Sequence, residues 1–225
     1  MKALALALYA EGSTDRYFLP SIIRRTSRLI LDRHGQSRLE VRPVDLIEIN
    51  KVGISQNECI LQAAQKAIEN HMLIVHCDAD HPTPEKALKE RFLPGYELVQ
   101  QAQEQICKSL VPIIPIQATE AWMLAADHDL LRREIGTNKS ARDLGLVSRA
   151  RQVESDPDPK QTLKEIIRKA NEERSRRRRE VDLRLLYAPL GREISLERLG
   201  NVPSYKQFMK DLTETLKILN LIQTT

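Results

Sequence analysis

Asp78 and Asp80 stand one residue apart just beyond an apolar run, in the stretch His71-Met72-Leu73-Ile74-Val75-His76-Cys77-Asp78-Ala79-Asp80. Two carboxylates at that spacing share a side by strand alternation, so together they can hold a hard divalent cation. Pro82 and Pro84 follow, and the chain cannot simply continue as a strand. The pattern predicts a buried strand whose carboxyl end reaches the surface, the edge at which open α/β sheets bind ligands. Glu11 follows the first apolar run and Glu120 comes just after the fourth. In a parallel sheet those ends share one edge, so Glu11, Asp78, Asp80 and Glu120 would converge there from distant positions. Such a cluster repels itself unless a cation neutralises it, and Mg²⁺ (or Mn²⁺) suits an all-oxygen set. A metal held this way activates water and steadies an in-line phosphoryl displacement, with a second ion accommodated in some sites. Taken singly, each acid reads equally well as a turn-former or a helix N-cap.

A phosphodiester transition state gains negative charge, so the chemistry also needs cations. Lys160 follows the turn Asp156-Pro157-Asp158-Pro159 and opens a helix, where it either reaches a phosphate or is a solvated helix-start lysine. Arg16 is a second candidate. The segment 160–179 holds nine Lys or Arg against three Glu and ends in four consecutive arginines. It could track a phosphate backbone with salt-dependent, sequence-independent affinity, or form a solvated face. Few aromatics lie near it, so single-strand stacking is not indicated. Alternation places His76 on the side of Asp78 and Asp80; a metal role is open to it, and packing or hydrogen bonding is the plainer reading. Asp15 is read as a residue that caps or orients the first helix. Trp122 is read as packing the Glu120 helix.

Four apolar runs must carry the acids. Residues 2–10 alternate small and large apolar side chains, which suits a central strand covered on both faces. Residues 39–49 read as a second strand, nearer an edge because of Pro43; 72–77 as a third; and 111–117 as a fourth, whose prolines argue against pairing on both sides. Helices are expected over 15–33, with Ser13 or Thr14 as cap and Pro20 an irregularity, and over 53–70. Two more are expected over 88–110, with a break at Pro94-Gly95, and over 119–131. This alternation points to a parallel α/β sheet built from right-handed crossovers. After residue 132 the chain turns polar and loop-rich, then amphipathic over 161–175 and 181–220. The expected organisation is an α/β core over 1–132 and a helical extension over 133–225 packed on it.

The chain has 225 residues, 41% hydrophobic and 29% charged, with formal net charge +4. That describes an ordinary globular protein, mildly basic. No run approaches the roughly 20 apolar residues of a membrane span, and the short apolar start leads into Glu11 and Asp15 rather than a cleavage site. Cys59, Cys77 and Cys107 are scattered and odd in number, which fits a reducing compartment and core packing. A cytoplasmic location is expected.

Glu11-Gly12-x-Thr14-Asp15 after the first strand, with Asp78-x-Asp80 after the third, resembles the Toprim domain of topoisomerases, primases and overcoming-lysogenisation-defect nucleases. The same two motifs, together with Ala118-Thr119-Glu120-Ala121-Trp122-Met123-Leu124-Ala125, resemble more closely a bacterial Toprim-like family catalogued as domain of unknown function 4276. Asp158-Pro159-Lys160 and Val202-Pro203-Ser204-Tyr205-Lys206-Gln207-Phe208 extend the likeness across most of the chain. The resemblance implies a Toprim-like (Rossmann-like), mostly parallel four-stranded sheet. It makes Glu11 a metal ligand or general acid/base, Asp78 and Asp80 Mg²⁺ ligands, and Glu120 an added acid that supports the site or a second ion. Topoisomerases also need a catalytic tyrosine, and no tyrosine here has a recognisable context for that role. The implied activity is metal-dependent endonucleolytic cleavage of DNA or RNA, in a bacterial defence setting that often includes a separate ATPase. No Walker-type phosphate loop occurs in this chain. Two rival expectations stand beside it: a non-catalytic binding or effector module, and a small-molecule phosphohydrolase with an Asp nucleophile, which fits poorly because the first strand ends in Glu-Gly.

Overall fold

The computed structural model describes residues 3–146, 150–172 and 182–223. The arginines at 176–179, and with them the end of the basic segment, lie outside the described residues. The first half comprises β1 (Ala3–Leu4), β2 (Leu6–Ala10), α1 (Asp15–Arg33), β3 (Glu40–Val41), β4 (Asp45–Leu46), α2 (Gln56–Lys66) and β5 (Met72–His76). Next, α3 (Glu85–Ala87) runs through a π-helical turn, Leu88–Phe92, into α4 (Leu93–Gln101), followed by β6 (Leu110–Ile113). The remainder is helical: α5 (Glu120–Leu124), α6 (His128–Ile135), α7 (Ala141–Leu144), a 3₁₀ segment Ala150–Ser155, α8 (Pro159–Asn171), α9 (Arg184–Glu193), α10 (Leu196–Leu199) and α11 (Pro203–Ile218).

The fold is α/β: a four-stranded parallel sheet in the order β4-β2-β5-β6, flanked by helices, with further helices at the C-terminal end. β2 and β5, the two runs with apolar residues on both faces, take the centre. Leu6 pairs with Met72, and the ladder runs to Ala10 beside His76. The proline-bearing runs take the edges. Pro112 lies within β6, which among the described residues pairs only with β5. At the other edge the expected strand over 39–49 is split: β1 pairs with β3 and β2 with β4 in two short parallel ladders, with Pro43 in the gap between them. Proline has no N–H to give the ladder, so pairing lapses there.

Period-two alternation sorts the strand side chains into two cores. Leu6, Leu8, Met72, Ile74, Val111 and Ile113 face a cluster with α1, α5, α6, α8, α9 and α11, whereas Ala7, Tyr9, Leu73 and Val75 face α2 and α4. The C-terminal helices therefore share the larger core with the sheet. α9 lies against α1 at Gly191, where a Cβ would meet the backbone of Phe18. Trp122 is fully buried, edge-on to Tyr205 with centroids 5.4 Å apart, and donates its indole N–H to Ser204 Oγ at 2.7 Å. Trp122 thus fastens α5 to the start of α11, which fixes the helix bearing Glu120.

Several helices differ from their expected spans for local reasons. Pro94 and Gly95 do not end the helical run: Pro94 has no N–H to give the turn before it, and the chain passes through that turn, Leu88–Phe92, as a π-helix before α4 begins at Leu93. The helix expected over 119–131 stops at Leu124, and Asp127 then caps α6 through Leu130 N–H at 2.8 Å. The amphipathic tail over 181–220 forms three helices among the described residues: α9, then α10 capped by Ser195, then α11 started by Pro203. Among the described residues no helix is long and apolar enough to cross a membrane.

Candidate metal centre at the sheet edge

β2 and β5 end side by side, so Glu11 and Asp78 emerge from neighbouring strands. His76, the last residue of β5, is completely buried. Its Nε2 lies 3.0 Å from Thr119 Oγ1 and 3.3 Å from Asp78 Oδ1, and its Nδ1 lies 3.7 Å from Asp15 Oδ2 without a hydrogen-bond partner. Asp78 Oδ1 also accepts the Thr119 backbone N–H at 3.2 Å. If the ring proton sits on Nε2, toward Asp78 and Thr119, Nδ1 turns a lone pair to the Asp15 carboxylate, and a second proton on Nδ1 or a bound cation relieves that meeting of acceptors. Burial works against a charged imidazole, but Asp15, Asp78 and Glu11 outweigh it, raising the His76 pKa above its ordinary value.

Asp15, His76 and Asp78 offer ligand atoms that all lie within 4.8 Å of one another, and this is the three-residue group among the described residues that could hold a metal ion. Ligands sharing one ion at ~2.1 Å lie up to ~4.2 Å apart, so closing this group takes under about an ångström. Were an ion held at Nδ1, the Thr119 contact to Nε2 would be the outer-shell hydrogen bond that orients the ring. Room for Asp15 comes from Gly12, where a Cβ would run into the Asp15 carboxylate. Neither Ser13 nor Thr14 caps α1: Thr14 holds the N-cap place without a side-chain cap bond, and Asp15 turns inward instead.

Of the four acids expected at this edge, Asp78 belongs to that group and the other three have separate partners. Glu11 and Asp80 are tied by Arg91, on the π-helical turn. Arg91 Nη1 donates to Glu11 Oε2 at 3.3 Å and to the Asp78 carbonyl at 2.8 Å, and Nη2 donates to Asp80 Oδ2 at 2.8 Å. Strand alternation stops at His76. Asp80 has a φ of 48°, opposite Gln117 at 64°, and the two are joined by a backbone bond of 3.1 Å. That left-handed turn accounts for Asp80 and Asp78 meeting different partners.

Glu120 is buried and accepts the Tyr187 hydroxyl, while Lys160 Nζ stands 3.8 Å from the same oxygen. Burial, then the Glu120 carboxylate, raises the Tyr187 pKa, so Tyr187 remains a neutral donor. Lys160 is half exposed, in the first turn of α8, whose cap is Asp158 through Gln161 N–H at 2.9 Å. Asp15, Asp78, Asp80, Glu120, Asp158 and Lys160 all line one cleft of about 310 Å³. Arg16 points elsewhere, to Glu48 at 2.8 Å. Cys77 lies on the far face of the sheet; burial, then Glu11, pushes its thiol up to about 12, so it stays protonated.

The fold and this edge define an α/β parallel-sheet protein with a buried Asp-His-Asp group that could hold a metal ion. No protein-family model, no curated protein and no solved structure matches the chain.

Proposed function

We propose that the protein is a metal-dependent phosphodiesterase acting on nucleic acid, with Asp15, His76 and Asp78 as the metal-holding set and Mn²⁺ or Mg²⁺ as the ion. The observation that carries this reading is the buried His76 Nδ1, which has no hydrogen-bond partner among the described residues and lies 3.7 Å from the Asp15 carboxylate, beside Asp78. An imidazole among two carboxylates suits Mn²⁺ better than Mg²⁺, which prefers an all-oxygen set. When bound, such an ion would supply Lewis acidity and a water of lowered pKa. Lys160, exposed at the mouth of the cleft, meets the charge of the phosphodiester. Glu120, held by Tyr187, sets the position of Lys160. The resemblance of the Glu11, Asp78 and Glu120 motifs to Toprim-like nucleases supports the activity and Asp78 as a ligand, but its other ligands, Glu11 and Asp80, are held by Arg91.

The test is cleavage of plasmid, linear duplex and single-stranded substrates with Mn²⁺, Mg²⁺ or EDTA, using wild type, Asp78→Ala and Lys160→Ala. Cleavage in Mn²⁺ that is abolished by EDTA and by Asp78→Ala is expected. Activity surviving both would refute the proposal.

One observation favours a second reading, a non-catalytic module serving in a complex with a partner such as an ATPase. Arg91 already neutralises Glu11 and Asp80, as a structural guanidinium would. Under that reading no substrate is cut, with or without the partner, although the fold is intact.

A further inference from the structure

Along α1 from the cleft lies a second concavity, of about 800 Å³, lined by four arginines, Arg24, Arg25, Arg28 and Arg38, against two acids, Asp32 and Glu40. Backbone carbonyls hold three of these guanidinium groups. Arg24 Nε donates to Val41 at 3.1 Å, Arg25 donates to Gly191 at 3.1 Å and Ile194 at 2.7 Å, and Arg28 donates to Ser37 at 2.8 Å and to Leu39. Carbonyls fix a guanidinium in place without cancelling its charge. Asp32 offsets Arg28 at 3.5 Å, and Arg38 is exposed with no ion pair among the described residues. The pocket therefore keeps a positive excess on preorganised donors whose planar forks match phosphate oxygens. Burial lowers the Arg25 pKa, against a smaller opposing pull from Tyr205 and the Glu193 carboxylate.

Tyr17, Ser21, Arg24 and Arg28 follow one another at four, three and four residues, so they form one stripe along α1, on the outer side of the helix and about 200° round it from Asp15. From Asp15 to Arg28 the helix rises ~20 Å at ~1.5 Å per residue. Duplex DNA advances ~3.4 Å per base pair, so along the helix axis the two places are offset by about six base pairs.

We propose that the Arg24–Arg25–Arg28–Arg38 pocket binds the phosphate backbone of a DNA duplex whose scissile region lies in the acidic cleft; the link to cleavage rests on the phosphodiesterase reading above. The ligand chemistry is a row of phosphodiesters, which a free nucleoside triphosphate shares only in part.

The test is fluorescence polarisation of a labelled duplex of about 20 base pairs in EDTA over a range of KCl, with ATP as a second probe, for wild type, Arg38→Glu and Arg24→Gln/Arg38→Gln. Arg38→Glu should weaken duplex binding at least about threefold and lower the slope of log affinity against log salt by about one, and the double variant should lower it by about two. Arg38 makes no hydrogen bond among the described residues, so its variant reads binding even if Arg24→Gln loosens the Val41 contact. Equal duplex binding by all three proteins, tighter binding of ATP than of duplex, or no duplex binding at all would overturn the proposal. Variant-sensitive binding without cleavage on adding Mn²⁺ would leave this site standing and remove the nuclease reading. Cleavage with variant-insensitive binding would do the reverse.

Discussion

Replacing Arg91 by alanine removes the one side chain that joins Glu11, Asp80 and the Asp78 carbonyl. The Asp80 pair is well solvated, with that carboxylate 64% exposed, so it contributes at most about 1 kcal/mol. The 2.8 Å bond from a charged donor to the Asp78 carbonyl contributes about 1 kcal/mol more, and the 3.3 Å contact to Glu11 little. The expected cost is about 2 kcal/mol, or a fall in Tm of about 4–8 °C for a chain of this size. Loss of the guanidinium also leaves two carboxylates facing each other across the edge, so added Mn²⁺ should restore more of the lost stability than it adds to the wild type. Arg91→Lys, which keeps the charge and loses the fork, should fall between. Thermal unfolding in EDTA and in Mn²⁺ reads both effects. An Arg91→Ala protein as stable as wild type in EDTA, or one with no extra response to Mn²⁺, would show that Arg91 does not hold this edge together.

Three further outcomes are expected. Gly12→Ala should lower Mn²⁺ affinity by about tenfold or more, because the new methyl displaces the Asp15 carboxylate, and should cost about 1–3 kcal/mol; unchanged Mn²⁺ affinity by calorimetry would count against Asp15 as a ligand. Tyr187→Phe strips the buried Glu120 of its hydroxyl donor and should cost about 1–2 kcal/mol in urea unfolding, whereas a neutral substitution would mean the contact is not made in solution. Burial raises the Glu154 pKa above its ordinary 4.5, although Ser204 donates both its hydroxyl and its N–H to this carboxylate. A raised folded-state pKa contributes stability that is present at acid pH and lost as pH rises through it. Glu154→Gln should therefore gain on wild type in Tm as pH rises from about 4.5 upward, and a gap that narrows over that range would refute the assignment.

The edge positions of the proline-bearing strands and the two-faced centre were legible in the sequence, because proline and period-two alternation act locally. Glu11, Asp78 and Glu120 were legible as strand-end acids for the same reason. Asp15 was not legible as part of the metal group. Its place as the first residue of α1 reads as ordinary helix-start chemistry, and the room left by Gly12 lets it turn toward His76. Arg91 was invisible because it lies on a π-helical turn, a departure from helical spacing that residue pattern does not announce. Tyr187 reaches Glu120 from a helix 67 residues away, and nothing local in either segment marks that pairing. His76 was visible as a neighbour of the aspartates, but its orphaned Nδ1 is a property of packing alone.

The central claim is that Asp15, His76 and Asp78 hold one divalent cation, and direct Mn²⁺ binding tests it. Titration followed by electron paramagnetic resonance should show one tight Mn²⁺ per chain in wild type, lost in Asp15→Asn and in Asp78→Asn. Thermal unfolding at about 100 times the dissociation constant should show a matching rise of about 5–11 °C, from ~2.7 kcal/mol of linkage, in wild type alone. Wild-type protein that binds no Mn²⁺, or folded variants that bind it as tightly as wild type, would contradict the account.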